Sequence, residues 1–257
     1  MTDRRPSRST VPIRDDESAE EFLRGTFRIL QKKHGYRFSL DPVLLAAFVH
    51  LSKGDRVIDL GTGSGIVPLL LAERLMGGRI VGLEIQEEYA DMARRSVELN
   101  GRSDRIEIRR GDARDARKEF AAESFDVATC NPPFLPVGTG RASPSREKAT
   151  ARHEIAGTLA DFLAAARFLL RQNGRAYFVF PATRLVDLLA GLRESRLEPR
   201  RLRVIQPDAA SPANLALVEA VKGGKGGLAV DRPLVVFEAD GRYAAEVDEI
   251  LRAGIAS

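Results

Sequence analysis

The sequence predicts an α/β fold whose doubly wound sheet is mostly parallel. Short apolar runs alternate with amphipathic segments of helical length, and glycines close several of these segments. The chain has 257 residues, 44% of them apolar, which is enough to bury a full core. Strands separated by helices of this length are joined by right-handed crossovers and therefore lie parallel.

Seven short apolar runs have the length of buried strands. In chain order they are 56–60, 80–84, 105–109, 125–130, 176–180, 200–206 and 214–221. Helical spacing is found over 66–76, 86–99, 158–170, 184–194 and 244–252. Only 207–213 separates the last two strands, which leaves no room for a helix, so we expect these strands to pair antiparallel at one end of a Rossmann-like, seven-stranded sheet.

The two ends of the chain are less regular. Residues 1–20 combine arginines with Pro, Ser and Asp and show no apolar period, which predicts a mobile basic tail. Residues 21–52 are expected to form a short helical lead-in, with a helix opened by Asp41 and Pro42. The main domain is expected over 53–257 and ends in an antiparallel extension.

Composition excludes several classes of protein. No apolar run reaches the ~18 residues of a membrane span, and the polar start lacks the apolar core of a secretory signal, so we expect a cytoplasmic protein with no membrane partner. The single cysteine, Cys130, and three scattered histidines give no metal-ligand spacing, so no metal is expected. A net charge of +4 and a pI near 9.4 permit a nucleic-acid partner without requiring one.

A glycine-rich loop follows the first strand of the domain. Gly61, Gly63 and Gly65 allow a sharp turn and a close approach of the backbone to a ligand at a helix N-terminus. Gly65 comes two residues after Gly63, whereas the dinucleotide pattern has three, which favours a ligand without pyrophosphate. Glu84 closes the next strand, where a carboxylate can accept hydrogen bonds from both ribose hydroxyls; the alternative is a solvated charge.

Two aspartates near this loop have open interpretations. Asp59 lies in an otherwise apolar strand, where an unpaired buried carboxylate is costly. We expect it to accept hydrogen bonds from the loop or to serve the ligand through water. Asp112 follows the third strand and is suited to cap a helix N-terminus. Cys130 is interpreted as a small buried apolar residue.

The stretch Asn131-Pro132-Pro133-Phe134 follows the strand 125–130. The two prolines fix the backbone and remove two amide donors, so the Asn131 side-chain oxygen and the Pro132 carbonyl are free to accept hydrogen bonds. A planar nitrogen substrate fits these acceptors. Taken alone, the stretch is also compatible with a plain turn between a strand and a helix.

Together, the glycine loop and the Asn-Pro-Pro-Phe motif resemble the class I S-adenosylmethionine-dependent methyltransferases that modify planar amines. With the segments 35–42, 146–154 and 222–227, the chain is similar to the bacterial family that methylates the adenine-N6 amine beside the anticodon of a valine tRNA. The similarity spans about 22–251. It implies S-adenosylmethionine as cofactor, tRNA as partner, a reversed last strand, and a lead-in that covers the cofactor site.

The resemblance also implies roles for individual residues. The amine is contacted by Asn131 and Pro132, within a catalytic motif that includes Pro133 and Phe134. Phe134 would stack on the base; some relatives have tyrosine there, so a hydroxyl contact is missing. Cofactor contacts are expected from Asp59, Gly61, Gly63, Gly65, Glu84, Asp112, Ala113 and Asn131.

A basic segment follows the motif. Arg146, Lys148, Arg152 and His153 lie among Gly, Ser and Pro, and we expect them to contact phosphates around a base that is flipped out of its stack. Lys222 and its neighbour Lys225 would extend this surface. The alternative is a solvated loop without a ligand.

Other functions share parts of this pattern. An rRNA guanine-N2 methyltransferase presents its target amine in the same geometry, and a protein glutamine methyltransferase shares the motif but resembles chains with a longer helical domain before the glycine loop. A nicotinamide-dependent oxidoreductase needs another glycine spacing and gives Asn131 no role. A non-catalytic binding protein is the last alternative. Sequence does not fix the oligomeric state; a monomer is slightly favoured.

Overall fold

The central feature of the computed structural model is a twisted sheet covered by helices on both faces. The structure describes residues 11–22, 27–34, 39–132 and 157–253. Its strands are β1 Glu17–Phe22, β2 Phe27–Lys32, β3 Arg56–Leu60, β4 Arg79–Glu84, β5 Ile106–Arg110, β6 Phe125–Cys130, β7 Leu170–Pro181, β8 Leu197–Gln206, β9 Leu215–Lys222, β10 Ala229–Val230 and β11 Leu234–Val235. Its helices are α1 Asp41–Phe48, α2 Ile66–Arg74, α3 Glu87–Leu99, α4 Ala116–Glu119, α5 Leu159–Leu169, α6 Leu185–Glu194 and α7 Ala245–Ala253.

The strand order of the main sheet is β10-β8-β9-β7-β6-β3-β4-β5, and β11 also pairs with β8. Strand β9 runs antiparallel to both β7 and β8, whereas β7, β6, β3, β4 and β5 are parallel to one another. The prediction of a mostly parallel sheet with a reversed last strand is confirmed. The sheet has more strands than the seven expected, because the short β10 and β11 add to its β8 edge within the described part of the chain.

The strands are buried on both faces because their apolar side chains alternate between two clusters. Val57 and Val127 pack with α1, α2 and α3 on one face. Their neighbours Ile58 and Ala128 pack with α4, α5 and α6 on the other. This alternation explains why the strands appear in the sequence as continuous apolar runs rather than as alternating ones.

The N-terminal part of the chain differs from the prediction. The expected helical lead-in begins with an antiparallel hairpin, β1–β2, and only then reaches helix α1. Strand β1 starts at Glu17, inside the segment expected to be a mobile tail. Helix α1 begins at Asp41, but its N-cap position is Leu40, so Asp41 is the first helical residue and not the cap.

This hairpin is fixed to helix α3 by side chains. Ser96 accepts a hydrogen bond from the Leu30 amide at 3.1 Å, and Asn100 accepts one from the Arg28 amide at 3.0 Å. The helix thereby satisfies backbone donors that the free edge of β2 would otherwise leave to solvent. In addition, the buried carboxylate of Glu17 in β1 accepts two hydrogen bonds from the Arg95 guanidinium in α3. The hairpin is therefore a docked element of the domain.

Candidate active site

Three predicted site residues lie side by side at the carboxyl edge of the sheet. Leu60 of β3 is aligned with Leu83 of β4 and with Cys130 of β6. The next residue of each strand is therefore Gly61, Glu84 or Asn131, at the same level of three neighbouring strands. Neighbouring strands lie about 4.8 Å apart. The register brings the glycine loop, the buried carboxylate and the Asn-Pro motif together, as the sequence predicts.

The glycine loop has the conformation that glycine makes accessible. Gly61, Gly63 and Gly65 have φ values of +74°, +57° and +84°, in the left-handed region that disfavours residues with a Cβ. A Cβ on Gly63 would meet nothing within 4 Å, so this part of the loop has an open face. A Cβ on Gly65 would lie 3.2 Å from the Cβ of Ala93, so this glycine also permits close packing of α3. A ligand can approach the backbone at Gly63.

Glu84 is buried against this loop. Its Oε2 accepts a hydrogen bond from the Gly63 amide at 2.9 Å, and its Oε1 accepts one from the Gln86 amide at 3.0 Å. Burial raises the pKa of Glu84, although these backbone hydrogen bonds lower it. A carboxylate has further acceptor positions beyond these two bonds. Its place at the strand end therefore suits an acceptor for ribose hydroxyls.

Asp59 is paired with a side chain of the neighbouring strand. The Thr129 hydroxyl of β6 donates a hydrogen bond to Asp59 Oδ1 at 2.7 Å, and both side chains are buried. Burial raises the pKa of Asp59 to about 6, even though the Thr129 hydrogen bond lowers it. The bond connects the end of β3, which carries the glycine loop, to the end of β6, which carries Asn131.

Cys130 lies beside this pair and is buried. Burial raises the pKa of its thiol well above the ordinary value, so the sulfur stays protonated and unreactive near neutral pH. The interpretation of Cys130 as a small apolar core residue is confirmed.

Asp112 caps a short turn beside β5. Its Oδ1 accepts a hydrogen bond from the Arg114 amide at 2.8 Å, at the start of the 3-10 turn Ala113–Asp115. Burial would raise the pKa of Asp112, but hydrogen bonds and charge from Arg114 outweigh it and lower the pKa. Ala113 packs into the core cluster that also contains Leu83. The capping role predicted for Asp112 is confirmed; its contact with a ligand remains a prediction.

Several predicted residues are only partly covered by the structure. Asn131 is half-buried and Pro132 is buried, directly after β6. The remaining catalytic and substrate-binding candidates, Pro133, Phe134, Arg146, Lys148, Arg152 and His153, lie outside the described residues. Their roles stay predictions.

Lys222 does not extend a surface around Asn131, contrary to expectation. Because β9 is reversed, its last residue lies at the amino edge of the parallel strands, opposite the glycine loop. The Lys222 side chain is buried, and its Nζ donates to Glu123 Oε1 at 2.9 Å and to the Leu170 carbonyl at 2.6 Å. The neighbouring Lys225 lies in the turn at the same edge, where its carbonyl accepts a hydrogen bond from Arg200.

Sequence reasoning missed two residues that shape the site. Thr129 was not singled out, although its place two residues before Asn131 was a usable signal. The ring of Phe162 on α5 lies 3.5 Å from where a Cβ on Gly61 would be. Phe162 is reached only after a long connection, so no local signal in the sequence pairs it with the loop. A capping box of Thr158 and Asp161 fixes the start of its helix.

Among the described residues, no group of three or more His, Cys, Asp and Glu side chains is arranged to hold a metal ion. No helix in this part of the chain is long and apolar enough to cross a membrane.

The fold and this edge of the sheet together define a class of protein. The open face at Gly63 fits a ligand held closely against the backbone, and Glu84 fits the ribose of that ligand. The glycine spacing, one residue shorter than the dinucleotide pattern, favours a ligand without pyrophosphate. These residues fit S-adenosylmethionine, and the class is that of the S-adenosylmethionine-dependent methyltransferases.

Relatives of known description narrow this class. Residues 51–182 match the methyltransferase domain family. The tRNA1(Val) (adenine(37)-N6)-methyltransferase of Porphyromonas gingivalis is 33% identical over 186 residues, which cover 70% of this chain and 72% of that protein. The enzyme of the same description from Bacteroides thetaiotaomicron is 28% identical over 232 residues, 88% of this chain and 93% of the relative. The chain belongs to the methyltransferase domain family and, within it, to the family of these two relatives.

A solved structure also shares the fold. It is described as a predicted O-methyltransferase from Agrobacterium tumefaciens and superposes with a TM-score of 0.69, covering 84% of this chain and 97% of its own. The two sequences are 24% identical, so the likeness concerns the fold alone.

Proposed function

We propose that this protein transfers a methyl group from S-adenosylmethionine to the exocyclic N6 amine of an adenine in tRNA. The single observation that carries the proposal is the register of the three strand ends, which sets Asn131 level with Gly61 and Glu84. The two relatives described as tRNA1(Val) (adenine(37)-N6)-methyltransferases support an anticodon-loop adenine of a valine tRNA as the substrate.

Asn131 and Pro132 carry the amine chemistry in this proposal. The adenine amine is a poor nucleophile because its lone pair is delocalised into the ring. The Asn131 side-chain oxygen and the Pro132 carbonyl accept hydrogen bonds from its two N–H groups, which turns the lone pair away from the ring. When bound, S-adenosylmethionine supplies an electrophilic methyl group on its sulfonium. Orientation of the amine by the two acceptors then lowers the activation free energy by several kcal/mol.

The remaining residues hold the reactants in place. Glu84 accepts hydrogen bonds from the ribose hydroxyls. The glycines, with their left-handed backbone conformation, let the loop lie close to the ligand. Asp112 accepts a hydrogen bond from the adenine amine of the cofactor in addition to the hydrogen bonds that both of its oxygens accept from Arg114. No histidine or other general base is needed, because the proton leaves to water after the methyl group has been transferred.

The tRNA is held by residues that follow the motif. Phe134 stacks on the flipped adenine, which is worth about 1 to 3 kcal/mol for one base. Arg146, Lys148, Arg152 and His153 contact the phosphates around it. The target lies in a loop, where taking a base out of its stack costs least. The proposal places the enzyme in the cytoplasm with its tRNA, as a monomer that needs no metal ion.

Labelled S-adenosylmethionine tests the proposal directly. The purified protein is incubated with unmodified total tRNA, with rRNA and with a protein extract in separate reactions, and the methylated product is identified by mass. We expect N6-methyladenosine in tRNA alone. Label found only in rRNA guanine or in protein glutamine would refute the substrate assignment.

Asn131→Ala tests the mechanism in the same assay. Turnover should fall by orders of magnitude because an acceptor for the amine is lost, while affinity for S-adenosylmethionine stays nearly unchanged. Normal turnover in this variant would show that Asn131 does not orient the amine.

A further inference from the structure

Phe237 and Tyr243 form an exposed aromatic pair in the segment that follows β11. Their rings are stacked, with centroids 5.1 Å apart and planes at 20°. Phe237 is 39% exposed and Tyr243 44%. Every other aromatic side chain in the described part of the chain is buried or half-buried. Large aromatic surfaces left in water often mark binding sites.

The backbone around the pair is tightly held. The Phe237 amide donates to the Pro207 carbonyl at 2.9 Å, directly beyond the end of β8. The Glu238 amide donates to the Arg242 carbonyl at 2.8 Å, and the Ala244 amide to the Val236 carbonyl at 2.9 Å. These bonds hold the turn that carries the two rings. The rings are presented on a fixed support.

The pair lies at the same edge of the sheet as Asn131. Strand β11 pairs in parallel with the end of β8, where Val235 is aligned with Gln206. Because β8 runs parallel to β6, the residues after both strands emerge at the carboxyl edge. Strand β11 lies outside β8, so four strand spacings separate it from β6, which is about 19 Å across the sheet.

This separation matches a short piece of RNA. Stacked nucleotides advance about 3.4 Å each, so about six of them cover the ~19 Å between the two strands. Aromatic rings stack on any base, because every base has a π-face. An RNA with its target adenine at Asn131 therefore carries neighbouring bases past the exposed rings.

We infer that Phe237 and Tyr243 form a second RNA-binding site, which stacks on an unpaired base of the substrate RNA about six nucleotides from the methylated adenine. This inference rests on the proposed function for its ligand. It assigns the pair to substrate binding, and the methyl transfer itself remains with the residues at Asn131.

Steady-state kinetics with the unmodified tRNA provide the first test. Phe237→Leu and Tyr243→Leu keep apolar bulk but remove the aromatic face, and the KM for tRNA should rise about tenfold or more, as expected for the loss of one stacked base. The KM for S-adenosylmethionine and the melting temperature should stay unchanged. Tyr243→Phe keeps the aromatic ring and should have the same KM for tRNA as the wild-type protein.

Met76→Leu is the matched control, because Met76 is also an exposed apolar residue but follows α2 at the opposite edge of the sheet. Its KM values should not change. If Phe237→Leu and Tyr243→Leu both keep the wild-type KM for tRNA, the inference is overturned, while the proposed function still stands.

A fluorescence titration separates the two proposals. The chain contains no tryptophan, so Phe237→Trp introduces a unique probe into the pair. Stacking of an RNA base should quench its emission in a saturable way, and S-adenosylmethionine alone should not. Quenching by tRNA supports the site even if methylation of that RNA fails; unchanged emission at an RNA concentration that saturates turnover overturns it.

Discussion

Replacing Glu17 by alanine should release the N-terminal hairpin from helix α3. The Glu17 side chain is fully buried, and its two oxygens accept hydrogen bonds from Arg95 at 2.6 and 2.7 Å. It also accepts a hydrogen bond from the Arg14 amide at 3.1 Å. The variant removes the carboxylate and leaves the Arg95 guanidinium at a site with only 9% exposure.

The expected loss follows from what Arg95 retains. Removing one partner of a buried ion pair costs about 3 to 5 kcal/mol, because a charge is left without its partner. Arg95 keeps Asp91 at 2.9 Å and the Pro12 carbonyl at 2.9 Å, so we expect the lower end, about 3 kcal/mol. At 1.4 kcal/mol per tenfold change, docking of the hairpin weakens on the order of a hundredfold.

Hydrogen exchange measures this docking directly. The amides of Arg28 and Leu30 are bonded to the side chains of Asn100, just after α3, and Ser96, within it, so their exchange rates report whether the hairpin is docked. Both should exchange on the order of a hundredfold faster in Glu17→Ala. Glu21→Ala is the matched control, because Glu21 lies on the same strand and is exposed. Unchanged exchange of these two amides in Glu17→Ala would refute the reasoning.

Three further outcomes are expected at the site. Glu84→Gln should weaken S-adenosylmethionine binding about tenfold to a hundredfold in calorimetry, from the loss of charge-assisted hydrogen bonds to the ribose, whereas the exposed neighbour Glu87→Gln should not. The pKa of Asp59 is raised to about 6, so Asp59 becomes protonated as the pH falls through that value. Affinity for S-adenosylmethionine should therefore decrease over the same pH range. Asp59→Asn should make the affinity less dependent on pH. Arg152→Ala should raise the KM for tRNA and reduce the slope of log affinity against log salt concentration by about one phosphate contact. An unchanged slope would show that Arg152 does not contact a phosphate.

The parallel strands were predictable because local and tertiary preferences agree in them. Phe125–Cys130 is apolar on both faces and ends at prolines, so its strand was predicted with the same bounds that the structure shows. The hairpin was missed because β1 has the sequence ESAEEF, which is polar and looks like a tail. Its structure depends on pairing with β2 and on Arg95, which lies 78 residues away from Glu17. No local pattern reports such a partner.

The site shows the same division. The resemblance assigned Gly61, Glu84 and Asn131 to one site, and they meet in the structure because each lies at the carboxyl end of a parallel strand, where such ends share one edge. The bond between Thr129 and Asp59 was not predicted, since it depends on which residues of β3 and β6 are aligned. Sequence gives the order of strands more readily than their register.

The reversal of β9 determines which edge of the sheet can meet RNA. Parallel strands place all their carboxyl ends on one side, and the Thr129–Asp59 bond joins two of these ends, one followed by the cofactor loop and the other by the amine motif. The reversed strand sends Lys222 to the other side, where Glu123 neutralises it. Its partner β8 returns in the parallel direction and carries Phe237 back to the edge of Asn131. A single antiparallel strand thus keeps the basic turn after β9 away from the substrate and brings the aromatic pair towards it.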